Sequence, residues 1–322
     1  MKFLSPLIRT TAVAVALLVS ALLSSCGGGD RVENFSPTRL LVFGDENSVI
    51  DDVNNDANGR KYTVNSLKTD DVTLDCSTNA IWTQYLVATY PQLVLKECNP
   101  NTVADPKSIA YAEAGATAAN VAAQIDSHLL ADTFTSTDLV TVLAGQNDIL
   151  EQYALYDGSN DETLLATLTA AGSALAGQVN RIANAGGKVL IVTVPDLGLS
   201  PFAVAEETNN AGRAALLTKL TDEFNVALRS NIINDGRMIG LVNGYDISQL
   251  LVKYPSIYGL TNVNTAVCDT TKAATVELCT TLTLITDGTS GGYLWADATH
   301  LSPAGQRRLG EAAVGRATNN PF

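Results

Sequence analysis

The 322-residue chain is 46% hydrophobic and 16% charged, a globular ratio that excludes disorder as its overall state. Its 33 acidic residues outnumber 20 basic ones, for a net charge of −13. That charge repels phosphate backbones, which argues against nucleic-acid partners and against docking on anionic lipid by charge.

The first 25 residues read as an address. Lys2 and Arg9 form a basic start, and Ala12–Leu23 is an uncharged apolar run too short for an ordinary transmembrane helix, followed by small residues. Leu23-Ser24-Ser25-Cys26 resembles the lipobox of bacterial lipoproteins, in which the Cys becomes the lipidated first residue. A plain secretory signal with an incidental Cys is the alternative. Residues 1–25 are therefore expected to be a signal peptide and residues 26–38, with Gly27-Gly28-Gly29, a flexible tether. Residues 39–322 are expected to form one domain with insertions near 51–75 and 261–290. Gly27 rather than Asp after the Cys implies, by the same resemblance, an outer-membrane lipoprotein facing the periplasm or the cell surface. Loss of Lys2 and Arg9 leaves 18 basic residues against 33 acidic ones, so the membrane anchor has to be acyl chains on Cys26.

In chain order, Arg39–Phe43 is a short apolar run ended by Gly44, which predicts a buried parallel strand. Residues 51–75 are polar and predict an insertion with a hairpin of Lys61–Asn65 against Val72–Asp75. Ile81–Tyr90 has helical spacing. Ser108–Ala114 predicts a strand ending at Gly115, and Thr117–Leu130 an Ala-rich helix. Leu139–Leu143 is the clearest β run, ending at Gly145. Asp161–Ala185 predicts a long helix closed by Gly186-Gly187, then Lys188–Val194 a strand stopped by Pro195. Asn209–Asn234 predicts a helix and Met238–Val242 a strand. Residues 261–283 are Thr-rich and irregular, and Pro303–Arg316 predicts a final helix with Ser302 as its N-cap. Apolar strands alternating with helices define a doubly wound α/β sandwich with a parallel sheet, whose ligands sit beyond the strand C-termini.

Apart from Cys26 the cysteines are Cys76, Cys98, Cys268 and Cys279, an even number that suits an oxidising compartment. Three connectivities exist, and the local pairs Cys76–Cys98 and Cys268–Cys279 are favoured because each lies in a polar, loop-like stretch. The absence of a CxxC pair and the presence of only two His argue against zinc, and no cofactor is expected.

The chemistry concentrates at the strand ends and near the C-terminus. Asp297 precedes His300 by three residues, a spacing that lets a carboxylate hold Nδ1–H on a tight loop and support an imidazolium. Asn147 in Gly145-Gln146-Asn147-Asp148 offers an amide donor at a strand end, and Gly115 offers an unobstructed backbone N–H. Both types of donor can stabilise an oxyanion. His128, inside a predicted helix, reads as an ordinary surface or partly buried side chain.

Together and in this order, Val42-Phe43-Gly44-Asp45, Tyr111-Ala112-Glu113-Ala114-Gly115-Ala116, Gly145-Gln146-Asn147-Asp148 and Asp297-Ala298-Thr299-His300 resemble the blocks of the SGNH (GDSL-type) hydrolase family. The loop Val194–Gly198 with Pro201 adds to the resemblance, which spans residues 39–316. It implies a three-layer α/β/α sandwich with a mostly parallel sheet, and hydrolysis of lipid, acyl or carbohydrate esters by a Ser nucleophile. The departure is central. Where the family reads Gly-Asp-Ser, this chain reads Gly44-Asp45-Glu46-Asn47-Ser48, and Ala110 replaces the usual Asn that leads the glycine block. A carboxylate at position 46 is a poor nucleophile toward esters. It also repels an oxyanion ~4 Å away by about 4 kcal/mol at an effective dielectric near ~20, roughly a thousandfold in rate. Four readings follow: Ser48 as a shifted nucleophile; Glu46 or the Asp297–His300 pair as general base on water, with Asn147 and Gly115 as oxyanion donors; a non-catalytic relative binding a glycan, acyl group or partner in the same cleft; or a divalent metal held by Asp45, Glu46, Asp297 and His300.

Overall fold

The computed structural model describes residues 35–319. The predicted signal peptide and the lipobox Cys26 lie outside the described residues, as does all of the predicted tether up to Asn34. The strands are β1 (Arg39–Gly44), β2 (Ser66–Leu67), β3 (Leu74–Asp75), β4 (Ile109–Ala110), β5 (Asp138–Leu143), β6 (Lys188–Val192), β7 (Ile239–Val242), β8 (Asn262–Ala266) and β9 (Tyr293–Trp295). The helices are α1 (Trp82–Thr89), α2 (Ala118–Ala131), α3 (Gln146–Ala154), α4 (Asp161–Asn184), α5 (Pro201–Asn209), α6 (Arg213–Asn231), α7 (Gly244–Lys253) and α8 (Pro303–Asn319).

Five strands form one sheet in the order β4-β1-β5-β6-β7, and every pairing is parallel. Successive side chains of a strand face opposite sides of its sheet. Leu41, Phe43, Val140, Val142, Val189 and Ile191 accordingly meet α2, α3, α4 and α6 on one face. Leu40, Val42, Leu139, Leu143, Leu190 and Val192 meet the residues of α1, α7 and α8 on the other, around the fully buried Trp82 and Trp295. Helices on both faces explain why the strands read as continuous apolar runs, and the result is the expected three-layer α/β/α sandwich. Packing begins at Phe35, inside the stretch expected to be tether, where the Gln92 amide donates to the Pro37 carbonyl at 2.7 Å. Among the described residues no helix is long and apolar enough to cross a membrane.

Three segments differ from expectation. Lys61–Asn65 is a closed turn rather than a hairpin arm: Lys61 N donates to Asn65 Oδ1 and Asn65 Nδ2 donates back to Lys61 O, both at 2.9 Å. The hairpin pairs Ser66–Leu67 with Leu74–Asp75 instead. The expected helix over 209–234 is α6 alone, starting at Arg213 and ending at Asn231, because the chain turns at Asn210–Gly212 and Glu207 accepts the N–H groups of Gly212 and Ala214 that open it; α5 precedes that turn and reaches the expected range only at Asn209. Of Ser108–Ala114 only Ile109–Ala110 is strand, yet Tyr111 N still donates to Val42 O and Glu113 N to Gly44 O. That continuation carries the chain along the edge of β1 and delivers Gly115 beside its end.

The two local disulfides are formed, with Cα–Cα separations of 5.8 Å for Cys76–Cys98 and 5.9 Å for Cys268–Cys279. Beside the first lies Lys61, fully buried, its Nζ donating to the carbonyls of Cys76, Thr78 and Asn79 at 2.7–2.9 Å. Burial pulls this amine down to about 7. The carbonyl cage satisfies the ammonium without a carboxylate and closes the insertion against α1.

Candidate active site

The order β4-β1-β5 sets three strand ends side by side, the place where open α/β sheets bind ligands. Two glycines shape these ends. Gly44 has φ +136°, and a Cβ there would lie 1.9 Å from the Leu143 carbonyl oxygen; Gly145 has φ +124°, and a Cβ there would lie 2.4 Å from the Phe224 ring. Any other residue at either position would have to move main chain or a buried aromatic ring. Gln124 reinforces the first turn by accepting from Gly44 N and donating to Gly44 O at 2.8 and 2.9 Å.

After Gly44, Asp45 caps a single 3-10 turn, Glu46–Ser48, and the Glu46 side chain points into a ring of donors. Its Oε2 accepts from the Gly115 backbone N–H and from Asn147 Nδ2, each at 2.9 Å. Its Oε1 accepts from Gln146 Nε2 at 3.0 Å. Gln146 is aimed in turn by Asn47 Nδ2, which donates to Gln146 Oε1 at 3.2 Å and to Asp45 Oδ1 at 3.0 Å. On the opposite side the Asp297 carboxylate meets His300 Nδ1 at 2.9 Å and accepts the backbone N–H groups of Thr299 and His300. His300 Nε2 lies 3.5 Å from Glu46 Oε1, an ion-pair separation outside hydrogen-bond geometry.

The electrostatics follow from this packing. Burial works against the His300 imidazolium, but its pairing with Asp297 and Glu46 outweighs burial and raises it to about 10. Burial also works against the Glu46 carboxylate, and pairing with His300 and Asn147 overcomes it, so Glu46 titrates below the usual range. The completely buried Asp45 goes the other way: desolvation and the neighbouring Glu46 charge push it up to about 8. Glu46 and Asp297 are carboxylates on either side of a protonated His300 at neutral pH.

The structure thus brings Glu46, Gly115, Asn147, Asp297 and His300 into one cluster. Ser48 does not join them. It is fully buried, and its Oγ accepts from Trp82 Nε1 at 3.1 Å on the far side of the turn, so it has neither a base nor access. This geometry removes the shifted-nucleophile reading. The oxygens of Glu46 accept from N–H donors, and among the described residues no group of His, Cys, Asp and Glu is arranged to hold a metal ion. His128 is more buried than expected, packed against Phe134 with Nδ1 3.1 Å from the Tyr111 hydroxyl, and burial lowers its pKa. Asp148 does structural work, its Oδ2 accepting Ala118 N at the start of α2.

Sequence reasoning missed Gln146, Asn47 and Tyr62. Gln146 sits inside the quoted block as its variable position, and only its side-chain amide signalled a donor. Tyr62 follows the caged Lys61, and its ring centre lies 5.9 Å from that of His300. Thr63 then donates to Leu301 O, tying the insertion to the His300 loop. Beside this wall opens a cavity of about 440 Å³ lined by Asp51, Asp52, Asn55, Tyr62, Glu97 and Glu113, among others.

A parallel α/β/α sandwich with a donor-lined site at adjacent strand ends and a carboxylate–histidine pair on the last loop defines a hydrolase scaffold. Residues 40–313 match the GDSL-like Lipase/Acylhydrolase family, and the chain belongs to that family. Among solved structures it is similar to a lipolytic protein of the G-D-S-L family from Veillonella parvula, at 13% identity over 86% of this chain and 96% of that one, with a TM-score of 0.40. Axe2, an acetylxylan esterase from Geobacillus stearothermophilus, is similar at 13% identity over 88% and 96%, with a TM-score of 0.47. LAE5, an alpha/beta hydrolase enzyme from the metagenome of Lake Arreo, Spain, is similar at 13% over 89% and 97%, with a TM-score of 0.45. No curated protein matches the chain in sequence.

Proposed function

We propose that this chain is an ester-hydrolase scaffold whose serine chemistry is silenced by its own Glu46, and whose cleft serves to bind an ester- or glycan-type ligand. One observation carries the reading: the Glu46 carboxylate fills the ring of donors, Gly115 N–H and the Asn147 and Gln146 amides, that an oxyanion would need. Each hydrogen bond to a charged group contributes about 1.5–3 kcal/mol, so the carboxylate is held firmly where a developing oxyanion would have to sit. Its lone pairs are engaged, which makes it a poor base and a poor nucleophile. A His300 raised to about 10 is protonated in nearly every molecule at neutral pH, which works against water activation too. The presence of Gln146 as a further donor, itself aimed by Asn47, argues for a site built around a carboxylate rather than a serine site that lost one residue. The adjoining polar cavity supports a hydroxyl-rich ligand. The natural chain is expected to hydrolyse p-nitrophenyl esters no faster than its His300→Ala variant, and a His300-dependent rate would overturn this reading.

We also infer that the mature chain is an outer-membrane lipoprotein anchored through Cys26. The motive is the basic start, the apolar run and Leu23–Cys26. Mass spectrometry of the membrane-extracted protein is expected to find a diacyl- or triacyl-modified Cys26 as the first residue, and an unmodified N-terminus elsewhere contradicts this.

A further inference from the structure

A cavity of about 700 Å³ is separate from the cleft at Glu46 and His300. It lies between α1, the segment 91–101 and the start of α8, and it shares no lining residue with the cavity beside Tyr62. Its wall is mainly apolar, with Val87, Ala88, Pro91, Leu93, Val94 and Ala304 contributing carbon surface. Apolar surface held open to solvent at this size marks a binding site more often than a packing defect.

Its charge pattern is the reverse of the rest of the molecule. The chain carries −13, yet the only charged side chain lining this cavity is a cation, Arg307. Arg307 is incompletely used by its neighbours. Its Nε is buried and makes no hydrogen bond. The nearest carboxylate, Glu311, is 4.0 Å away and is already held by Arg308 at 2.8 Å. Tyr85, Asn99 and Asn101 are among the neutral polar residues that share this lining.

We propose that this cavity binds a single-chain amphiphile with an anionic head, its alkyl chain along the apolar wall and its head on the Arg307 guanidinium. Charge complementarity decides the class. A cationic or zwitterionic ligand finds no carboxylate in the lining, and a neutral alkane leaves the guanidinium unmatched. A guanidinium pairs with carboxylate and phosphate heads alike, so a free fatty acid and a lipid phosphate share this chemistry.

The test is isothermal titration of the natural mature protein with dodecanoate, dodecyl phosphate and dodecanol, each below its critical micelle concentration. Saturable binding of at least one anion is expected, with dodecanol at least about tenfold weaker. Dodecyl phosphate binding alone would identify a lipid headgroup as the source, and dodecanoate alone a free fatty acid. Arg307→Leu should weaken the anion about tenfold and leave dodecanol unchanged. Ala88→Trp, a substitution at an exposed helix position that fills the cavity, should abolish binding of all three, with thermal melting confirming that both variants fold. Absence of saturable anion binding overturns the proposal. So does anion binding that survives Ala88→Trp but is lost in His300→Ala, which would put the ligand in the cleft.

Discussion

Glu46→Ser is expected to turn the natural chain into a His300-dependent esterase, raising kcat/KM for p-nitrophenyl acetate at least about a hundredfold. The substitution does three things at once. It frees Gly115 N–H and Asn147 Nδ2, now satisfied by the carboxylate, to receive a substrate oxyanion. It removes one of the two carboxylates that hold His300 protonated, so the imidazole moves back toward the range in which it can accept a proton. It also supplies a hydroxyl at the end of β1, facing an imidazole whose Nδ1 stays fixed by Asp297 at 2.9 Å. Steady-state kinetics on the natural chain, Glu46→Ser and Glu46→Ser with His300→Ala checks this, and the double variant should return to background. A natural chain that already hydrolyses esters well and slows on substitution would make Glu46 a working catalytic residue. A folded but inert Glu46→Ser protein would show that the cleft has lost more than a nucleophile.

The second large effect is on the pH dependence of stability. His300 is raised to about 10 in the folded chain, against an unfolded value near ~6.5. A raised basic group contributes stability that is fully present below the unfolded value and is lost as pH climbs through the folded one. The natural chain should therefore lose stability between about pH 6.5 and 10 through this group, on the order of a few kcal/mol. Asp45, raised to about 8, erodes stability in the same direction from about pH 4 to 8. Lys61, lowered to about 7, acts oppositely, because the unfolded chain then binds the extra proton and stability rises from about pH 7 to 10.5. Glu46 and Asp297 are lowered, so their contribution is present above about pH 4 and fades in acid. Glu46→Gln leaves Lys61 and its cage unchanged while removing the charge that raises both His300 and its neighbour Asp45. Urea denaturation should show the natural chain more stable than Glu46→Gln at pH 6, with the gap narrowing toward pH 10. A gap that widens with pH contradicts the assignment.

Much of the frame was legible because it rests on local patterns. Continuous apolar runs identified β1, β5, β6 and β7, since helices on both faces demand them, and the four site blocks fall at strand ends and on the last loop. The disulfides were legible because each pair is close in sequence, 22 residues apart for Cys76–Cys98 and 11 for Cys268–Cys279. What could not be read depends on long-range packing. Lys61 in a polar stretch reads as solvated, and only the fold shows three carbonyls converging on its amine. The pair β8 and β9 brings segments about thirty residues apart into register, with no alternation strong enough to announce it. Gln146 as a donor to Glu46, and Asn47 as the group aiming it, appear only when β1 and β5 lie side by side. The reason Ser48 is not a nucleophile is likewise tertiary, being the Trp82 indole on its hydroxyl.

The central claim is that Glu46 sits ionised in the donor ring and keeps His300 protonated. Nitrogen-15 NMR titration of the His300 imidazole in the natural chain reads it directly, with Glu46→Gln as the reference and the buried, depressed His128 as an internal contrast. The predicted result is an imidazolium that persists through neutral pH and titrates near about 10, moving down when Glu46 is neutralised. A His300 that titrates near ~6.5 in the natural chain, unchanged in Glu46→Gln, would contradict the account.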